Sequence, residues 1–164
     1  MNGYYQKLLQ NYAQKGLLVD TNILLLWIIG SVDRNFIEKF KRTADRFTAA
    51  DFDLIHQILG QFQIKVTTTS ILTEVSNLMG QLKGKYKEDY FSAFAKVITL
   101  VDENLVKSSE ICILPEFNKF GLTDSAITKI ARDNYLVLTD DLPLYHYLSN
   151  LKIDVINFNH IRNL

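Results

Sequence analysis

The sequence has one cysteine, two prolines and seven glycines among its 164 residues. A single cysteine cannot form an intramolecular disulfide, so the fold has to be stabilised by a noncovalent core. The scarcity of proline and glycine favours long regular elements joined by short loops. Cys112 lies in the apolar segment Ile-Cys-Ile-Leu, where we expect it to be a small core residue.

Long hydrophobic runs and an excess of either charge are also missing. The most apolar run, 23–30, is too short to span a bilayer as a helix, and residues 1–14 lack the apolar stretch of a signal peptide. We therefore expect a soluble, cytoplasmic protein without a membrane partner. Eighteen basic residues balance eighteen acidic ones, so overall charge does not indicate nucleic-acid binding. Any RNA contact must come from local patches.

The hydrophobic pattern predicts one domain over 1–164, with 1–16 as an N-terminal helical extension. The predicted strands are 17–20, 64–68, 111–114, 135–139 and 153–158. The predicted helices are 4–14, 21–29 ended by Gly30, 70–82, 86–106, 123–133 and 142–150, with further helical stretches near 36–40 and 54–62. Short apolar strands that alternate with helices indicate an α/β protein, in which helices cover both faces of a mainly parallel five-stranded sheet.

Acidic side chains recur where these strands end. Asp20 ends the first strand, and Asp140 and Asp141 directly follow the fourth. Glu74 and Asp124 lie in helices, each at the rim of the apolar face. Several carboxylates in one small space repel one another, and a hard divalent cation is the usual compensation. Such an ion can activate water against a phosphodiester.

Each acid also has a simpler structural explanation. Asp20 and Asp141 can cap the helices that follow them, and Asp124 can favour a helix dipole from the first turn. Glu74 can be an ordinary solvated residue beside the apolar face. Taken together at one edge of a sheet, the four acids favour a metal site, but topology alone does not establish that they converge.

Four segments in order resemble the motifs of PIN-domain ribonucleases. The similarity covers about residues 17–158, and the ordered set is more specific than any one motif. The segments are Leu-Val-Asp-Thr-Asn-Ile-Leu at 18–24, Thr-Ser-Ile-Leu-Thr-Glu-Val at 69–75, Leu-Thr-Asp-Ser-Ala-Ile at 122–127 and Val-Leu-Thr-Asp-Asp at 137–141.

The resemblance implies a three-layer α/β/α fold and a Mg²⁺- or Mn²⁺-dependent endoribonuclease. Position by position, the acidic quartet is matched by Asp20, Glu74, Asp124 and Asp141. Asn22 and Thr139 match polar positions that support the quartet through hydrogen bonds. Asp141 fits the family's Thr-x-Asp spacing better than Asp140, which stays the alternative. The nearest members are compact VapC-like toxins, which implies an antitoxin partner and a homodimer.

One basic cluster is a further candidate site, and two other functions are consistent with the sequence. Lys83, Lys85 and Lys87, with Tyr86 among them, are candidate RNA contacts or simply a solvated turn. A Mg²⁺-dependent phosphatase is one alternative, although Asp20-Thr21-Asn22 lacks the second carboxylate of an Asp-x-Asp nucleophile pair. A non-catalytic PIN-like module that binds RNA or protein is the other alternative.

Overall fold

The computed structural model describes residues 3–132 and 134–162. Its five-stranded sheet has the order β3–β2–β1–β4–β5, and all four pairings are parallel. The strands are β1 (Leu17–Val19), β2 (Lys65–Thr68), β3 (Asp102–Asn104), β4 (Leu136–Thr139) and β5 (Val155–Asn157). The α/β class and the parallel sheet predicted from the sequence are confirmed.

Helices connect these strands and cover both faces of the sheet. They are α1 (Gly3–Tyr12), α2 (Thr21–Val32), α3 (Lys41–Ala44), α4 (Ala49–Gly60), α5 (Thr69–Met79), α6 (Lys85–Ile98), α7 (Ser108–Ile111), α8 (Phe117–Ala131), α9 (Leu142–Asn150) and α10 (Phe158–Ile161). A single 3₁₀ turn, Arg34–Phe36, follows α2 among the described residues.

Two groups of helices enclose the sheet. Helix α2 packs against α4, α5 and α6, whereas α8 packs against α7 and α9. Helix α1 contacts β4 through a face that includes the buried Leu8 and Leu9, and the Tyr12 hydroxyl donates to Asp154. The N-terminal extension therefore packs on its own fold. Across residues 3–132 and 134–162, no helix combines the length and apolar character needed to cross a membrane.

The third strand is where the sequence-based prediction is wrong. The apolar segment 111–114 is not a strand, because Ile111 ends α7 and the chain turns there. Ile113 is 81% exposed, and Cys112 is exposed instead of lying in the core. The real third strand is the polar segment Asp102–Asn104, which pairs with β2 alone at the sheet edge. Charged residues suit such an edge because they discourage pairing with other chains.

Several helix boundaries differ from the prediction. Helix α6 ends at Ile98, not near 106, because Thr99 caps it and the chain turns back to form β3. Helix α8 starts earlier than 123, at Phe117, but is kinked at Gly121. Position 133, the predicted end of that helix, lies outside the described residues. Helix α2 continues through Gly30 to Val32 instead of ending there.

Gly30 has a packing role within α2. A Cβ atom built on Gly30 would overlap the aromatic ring of Phe52 from α4. The missing side chain therefore allows the two helices to approach closely. This contact explains why a helix that is buried from Ile23 to Gly30 keeps a residue of poor helix propensity.

We expect Gly30→Ala to lower the free energy of unfolding by about 1–3 kcal/mol, the usual cost of overpacking a core. In an open helix the same change would stabilise by about 1 kcal/mol. Chemical denaturation measures the difference. Gly60→Ala is the matched control, because nothing lies within 4 Å of its added Cβ. Equal effects of the two substitutions would contradict the packing role of Gly30.

Candidate carboxylate site

The site lies at the carboxyl edge of the sheet, where β1 and β4 are neighbours. From β1 the chain builds the sheet towards β2 and β3, then crosses to the other side for β4 and β5. Ligands of parallel α/β sheets bind outside the strand ends at such a reversal point. Asp20 follows β1, and Asp140 and Asp141 follow β4. Three of the predicted site residues therefore flank the reversal point.

Asp20 is nearly buried, with 6% of its surface exposed. Its backbone N–H continues the sheet ladder to the Leu138 carbonyl, and its side chain caps α2 by accepting from the Thr21 N–H. The Thr139 hydroxyl donates to its second oxygen at 2.5 Å. The pKa of Asp20 is raised to about 6. Burial is the main cause, the two hydrogen bonds oppose it, and the charges of Asp140 and Asp141 add to it.

Glu74 extends from α5 towards two threonines. Thr21 is the first residue of α2, and Thr123 lies two residues after the kink at Gly121 in α8. The Thr21 hydroxyl of α2 donates to one carboxylate oxygen at 2.9 Å, and the Thr123 hydroxyl of α8 donates to the other at 2.5 Å. Both hydroxyls lie on segments next to acids of the quartet, Asp20 and Asp124. The Glu74 carboxylate is thus held beside them, even though the residue as a whole is exposed.

Asp124 reaches the same place because of the kink in α8. Gly121 has φ 73° and ψ −164°, a backbone conformation that glycine adopts without strain. The helix restarts after it, which puts Asp124 in a new first turn. The pKa of Asp124 is raised to about 7, chiefly by burial and also by the charges of Asp20, Asp141 and Glu74. Asp124 is therefore close enough to each of the other three predicted acids to be repelled by it.

The adjacent acids Asp140 and Asp141 have different surroundings. The Asp140 side chain is only 5% exposed, and it accepts from Asn22 at 2.9 Å and from the Arg46 guanidinium at 3.0 Å. Asp141 is exposed and caps α9 by accepting from the Leu144 N–H. Asp141 also contributes to the raised pKa of Asp124. Because the charge of Asp140 is already paired, these contacts favour Asp141 as the fourth acid.

Sequence reasoning missed three partners of the acids. Thr21 and Thr123 were taken only as helix starts, yet their hydroxyls orient Glu74. Arg46 is not among the site residues that the sequence predicts, yet it pairs with Asp140, 94 positions away. No local signal identifies such long-range contacts. Thr139, which the resemblance matches to a supporting position, donates to Asp20 of the quartet, whereas Asn22 donates to Asp140 outside the quartet.

The predicted lysine contacts lie away from this edge. Lys83, Lys85 and Lys87 are exposed residues between the end of α5 and the first turn of α6, and Lys87 lies 5.8 Å from the Phe91 ring centroid. Helix α5 begins where β2 ends and runs back along the sheet, so these lysines follow its far end. Arg46 is the cation that directly contacts an acid of the site.

The simpler structural explanations are also correct for two acids, since Asp20 caps α2 and Asp141 caps α9. A side chain can cap a helix and still present an oxygen to a ligand. Within the described part of the chain, no three His, Cys, Asp or Glu side chains converge tightly enough to form a metal cage. Mg²⁺ often uses only one or two carboxylates and keeps several waters. The all-oxygen donors and their mutual repulsion fit such an ion.

We expect Asp124→Asn to stabilise the metal-free protein at pH 8 but not at pH 4. In the folded protein the pKa of Asp124 is about 7, whereas its ordinary value is 3.8. Because the folded state holds this proton more strongly than the unfolded state, the free energy of unfolding of the wild type falls as the pH rises between these two values. The full shift corresponds to about 4 kcal/mol. Partial exposure and loss of the favourable helix-start position reduce the expected gain at pH 8 to about 1–2 kcal/mol.

Thermal or chemical denaturation in EDTA across this pH range measures the effect. Glu88→Gln is the matched control, because Glu88 is an exposed acid in the first turn of α6. The free energy of unfolding of the Glu88→Gln variant should be lower than that of the wild type by about 0.3–1 kcal/mol at every pH above 6. If Asp124→Asn is destabilised to the same extent at pH 5 and pH 8, Asp124 is only a helix-start residue.

Comparison of the sequence with protein-family models finds no match, and comparison with curated proteins finds no significant one. The resemblance to PIN domains therefore stays a prediction from the four motifs at 18–24, 69–75, 122–127 and 137–141. The structure adds the parallel α/β fold and the clustering of the acids at one edge of the sheet.

Proposed function

We propose that the protein is a Mg²⁺- or Mn²⁺-dependent endoribonuclease whose active site is the acidic quartet Asp20, Glu74, Asp124 and Asp141. The observation that supports this most strongly is geometric: Glu74 accepts hydrogen bonds from Thr21, the neighbour of Asp20, and from Thr123, the neighbour of Asp124. The four residues come from separate parts of the chain. A fold that brings them together retains a repulsion that ordinary helix caps do not need.

The chain's own residues prepare this site. Thr139 and the Thr21 N–H hold the Asp20 carboxylate, while Thr21 and Thr123 hold that of Glu74. These bonds restrict side-chain rotation, so the acids are pre-oriented towards a cation. A bound divalent ion would supply an activated water and stabilise charge on the phosphodiester.

Arg46 supports a phosphate-containing substrate. Its Nη1 atom pairs with Asp140, but about half of its side chain, 54%, stays exposed. A guanidinium has five N–H donors in a fixed fork, so it can contact a phosphate while it remains paired. Arg162 lies nearby and donates to the Arg46 carbonyl at 2.6 Å. Both arginines are ion-paired, Arg46 with Asp140 and Arg162 with Asp51, and their remaining N–H donors lie beside an otherwise acidic edge.

The alternative functions have less support. A phosphatase of the Asp-x-Asp kind needs a second carboxylate two residues after Asp20, but Asn22 occupies that position and donates to Asp140. A non-catalytic module would not need the mutual repulsion of the quartet. An antitoxin partner, a homodimer, RNA contacts at Lys83, Lys85 and Lys87, and a cytoplasmic location stay predictions of the sequence.

We expect single-stranded RNA to be cleaved with Mg²⁺ or Mn²⁺ and not with EDTA. Asp20→Asn and Asp141→Asn should each reduce kcat by more than about 100-fold, because loss of outer partners of metal ligands alone costs 10–100-fold. Asp140→Asn should reduce it less, since that carboxylate is paired with Arg46. A fluorescent oligoribonucleotide measures all of these rates.

Asp53→Asn is the control, because Asp53 pairs with Arg34 away from the quartet. Circular dichroism of every variant verifies that the fold is retained. Cleavage that continues undiminished in EDTA, or in Asp20→Asn, would reject the proposed mechanism. A larger loss of kcat in Asp140→Asn than in Asp141→Asn would show that Asp140, and not Asp141, is the fourth acid.

A further inference from the structure

A pocket of about 350 Å³ adjoins the acidic quartet on the side of β2 and β3. It shares Glu74 with the quartet, and it is also lined by Thr123, whose hydroxyl donates to Glu74. Its volume lies within the range of small-ligand sites. The pocket is therefore a continuation of the proposed active site.

The lining of the pocket is almost entirely neutral. Of the described residues that form it, Glu74 alone carries a charge, and that charge is negative. A phosphate would meet repulsion and no cation there. The arginines lie at the opposite side, since Asp140 follows β4 and Arg162 follows β5. The edge thus has a neutral end, an acidic centre and an end with two ion-paired arginines, Arg46 with Asp140 and Arg162 with Asp51.

The neutral end combines an aliphatic wall with hydroxyl groups. Leu105 and Leu122 form part of the aliphatic wall, and they are 81% and 39% exposed. Thr68, the last residue of β2, and Ser70, in the first turn of α5, also line the pocket. Their hydroxyl groups share a hydrogen bond of 2.9 Å. A flat neutral ring with polar edges fits these surroundings, because its faces can cover leucine and its edges can meet hydroxyls.

We propose that this pocket binds a nucleobase of the RNA strand next to the phosphate held at the acids. The inference rests on the proposed ribonuclease function. The other part of the strand extends over the Arg46 side of the edge, where its phosphates meet positive charge. Aliphatic contact and hydroxyl groups make the pocket a base subsite in a strand with its bases unstacked, not a site for duplex RNA.

Leu105→Ala tests the subsite in the full-length protein. We expect KM for a hexaribonucleotide to rise about tenfold with kcat within about twofold, the pattern of lost uniform binding. Ile113→Ala is the matched control, because Ile113 is also 81% exposed but does not line the pocket. Both leucine and isoleucine are mainly in solvent, so neither substitution should disturb folding.

An abasic scan identifies the nucleotide. One abasic position in the hexaribonucleotide should raise KM of the wild type about tenfold and cause no further loss in Leu105→Ala. Equal tolerance of abasic sites at every position, or equal KM in Leu105→Ala and Ile113→Ala, would overturn the subsite while leaving the ribonuclease proposal intact.

A second experiment does not depend on RNA cleavage. Adenosine, guanosine, cytidine and uridine are titrated separately into metal-free protein, and the methyl NMR signals of Leu105 and Leu122 are followed against ribose as the blank. Shifts with a nucleoside and not with ribose support the subsite. No shift with any of the four would overturn it. Absence of RNA cleavage together with nucleoside binding would instead reject the ribonuclease proposal.

Discussion

Parallel pairing of β1 on both sides is the constraint on which the site depends. β1 lies between β2 and β4, and its three residues are fully buried. Val19 pairs with Leu138, so the next residues, Asp20 and Thr139, meet where both strands end. A shift of one residue in this register would move Asp20 away from the hydroxyl that holds it. The register of two short apolar strands therefore positions the first acid and its partner.

Charge repulsion is the cost of bringing the other acids to the same edge. Hydroxyl groups of three threonines offset part of it by donating to Asp20 and Glu74, and Arg46 neutralises Asp140. Asp124 has no comparable compensation among the causes of its pKa, all of which raise it. A fold selected only for stability would lose such a residue, whereas a cation site uses it.

Local apolar patterns were sufficient to predict four of the five strands and the acids that follow them. They failed at Asp102–Asn104, because an edge strand paired on one side does not need apolar residues. They also failed at 111–114, where apolar residues form a turn and Ile113 is exposed. The hydrogen bonds that hold Glu74 join residues about 50 positions apart, and only the tertiary fold brings them together.

Direct binding of a divalent cation is the most direct test of this account. Isothermal titration calorimetry of Mn²⁺ into the metal-free protein measures it without assuming any substrate. We expect saturable binding by the wild type, retained binding by Asp53→Asn, and binding at least about tenfold weaker in Asp20→Asn. No saturable binding to the wild type, or equal affinity of the wild type and Asp20→Asn, would contradict the claim that the four acids form a cation site.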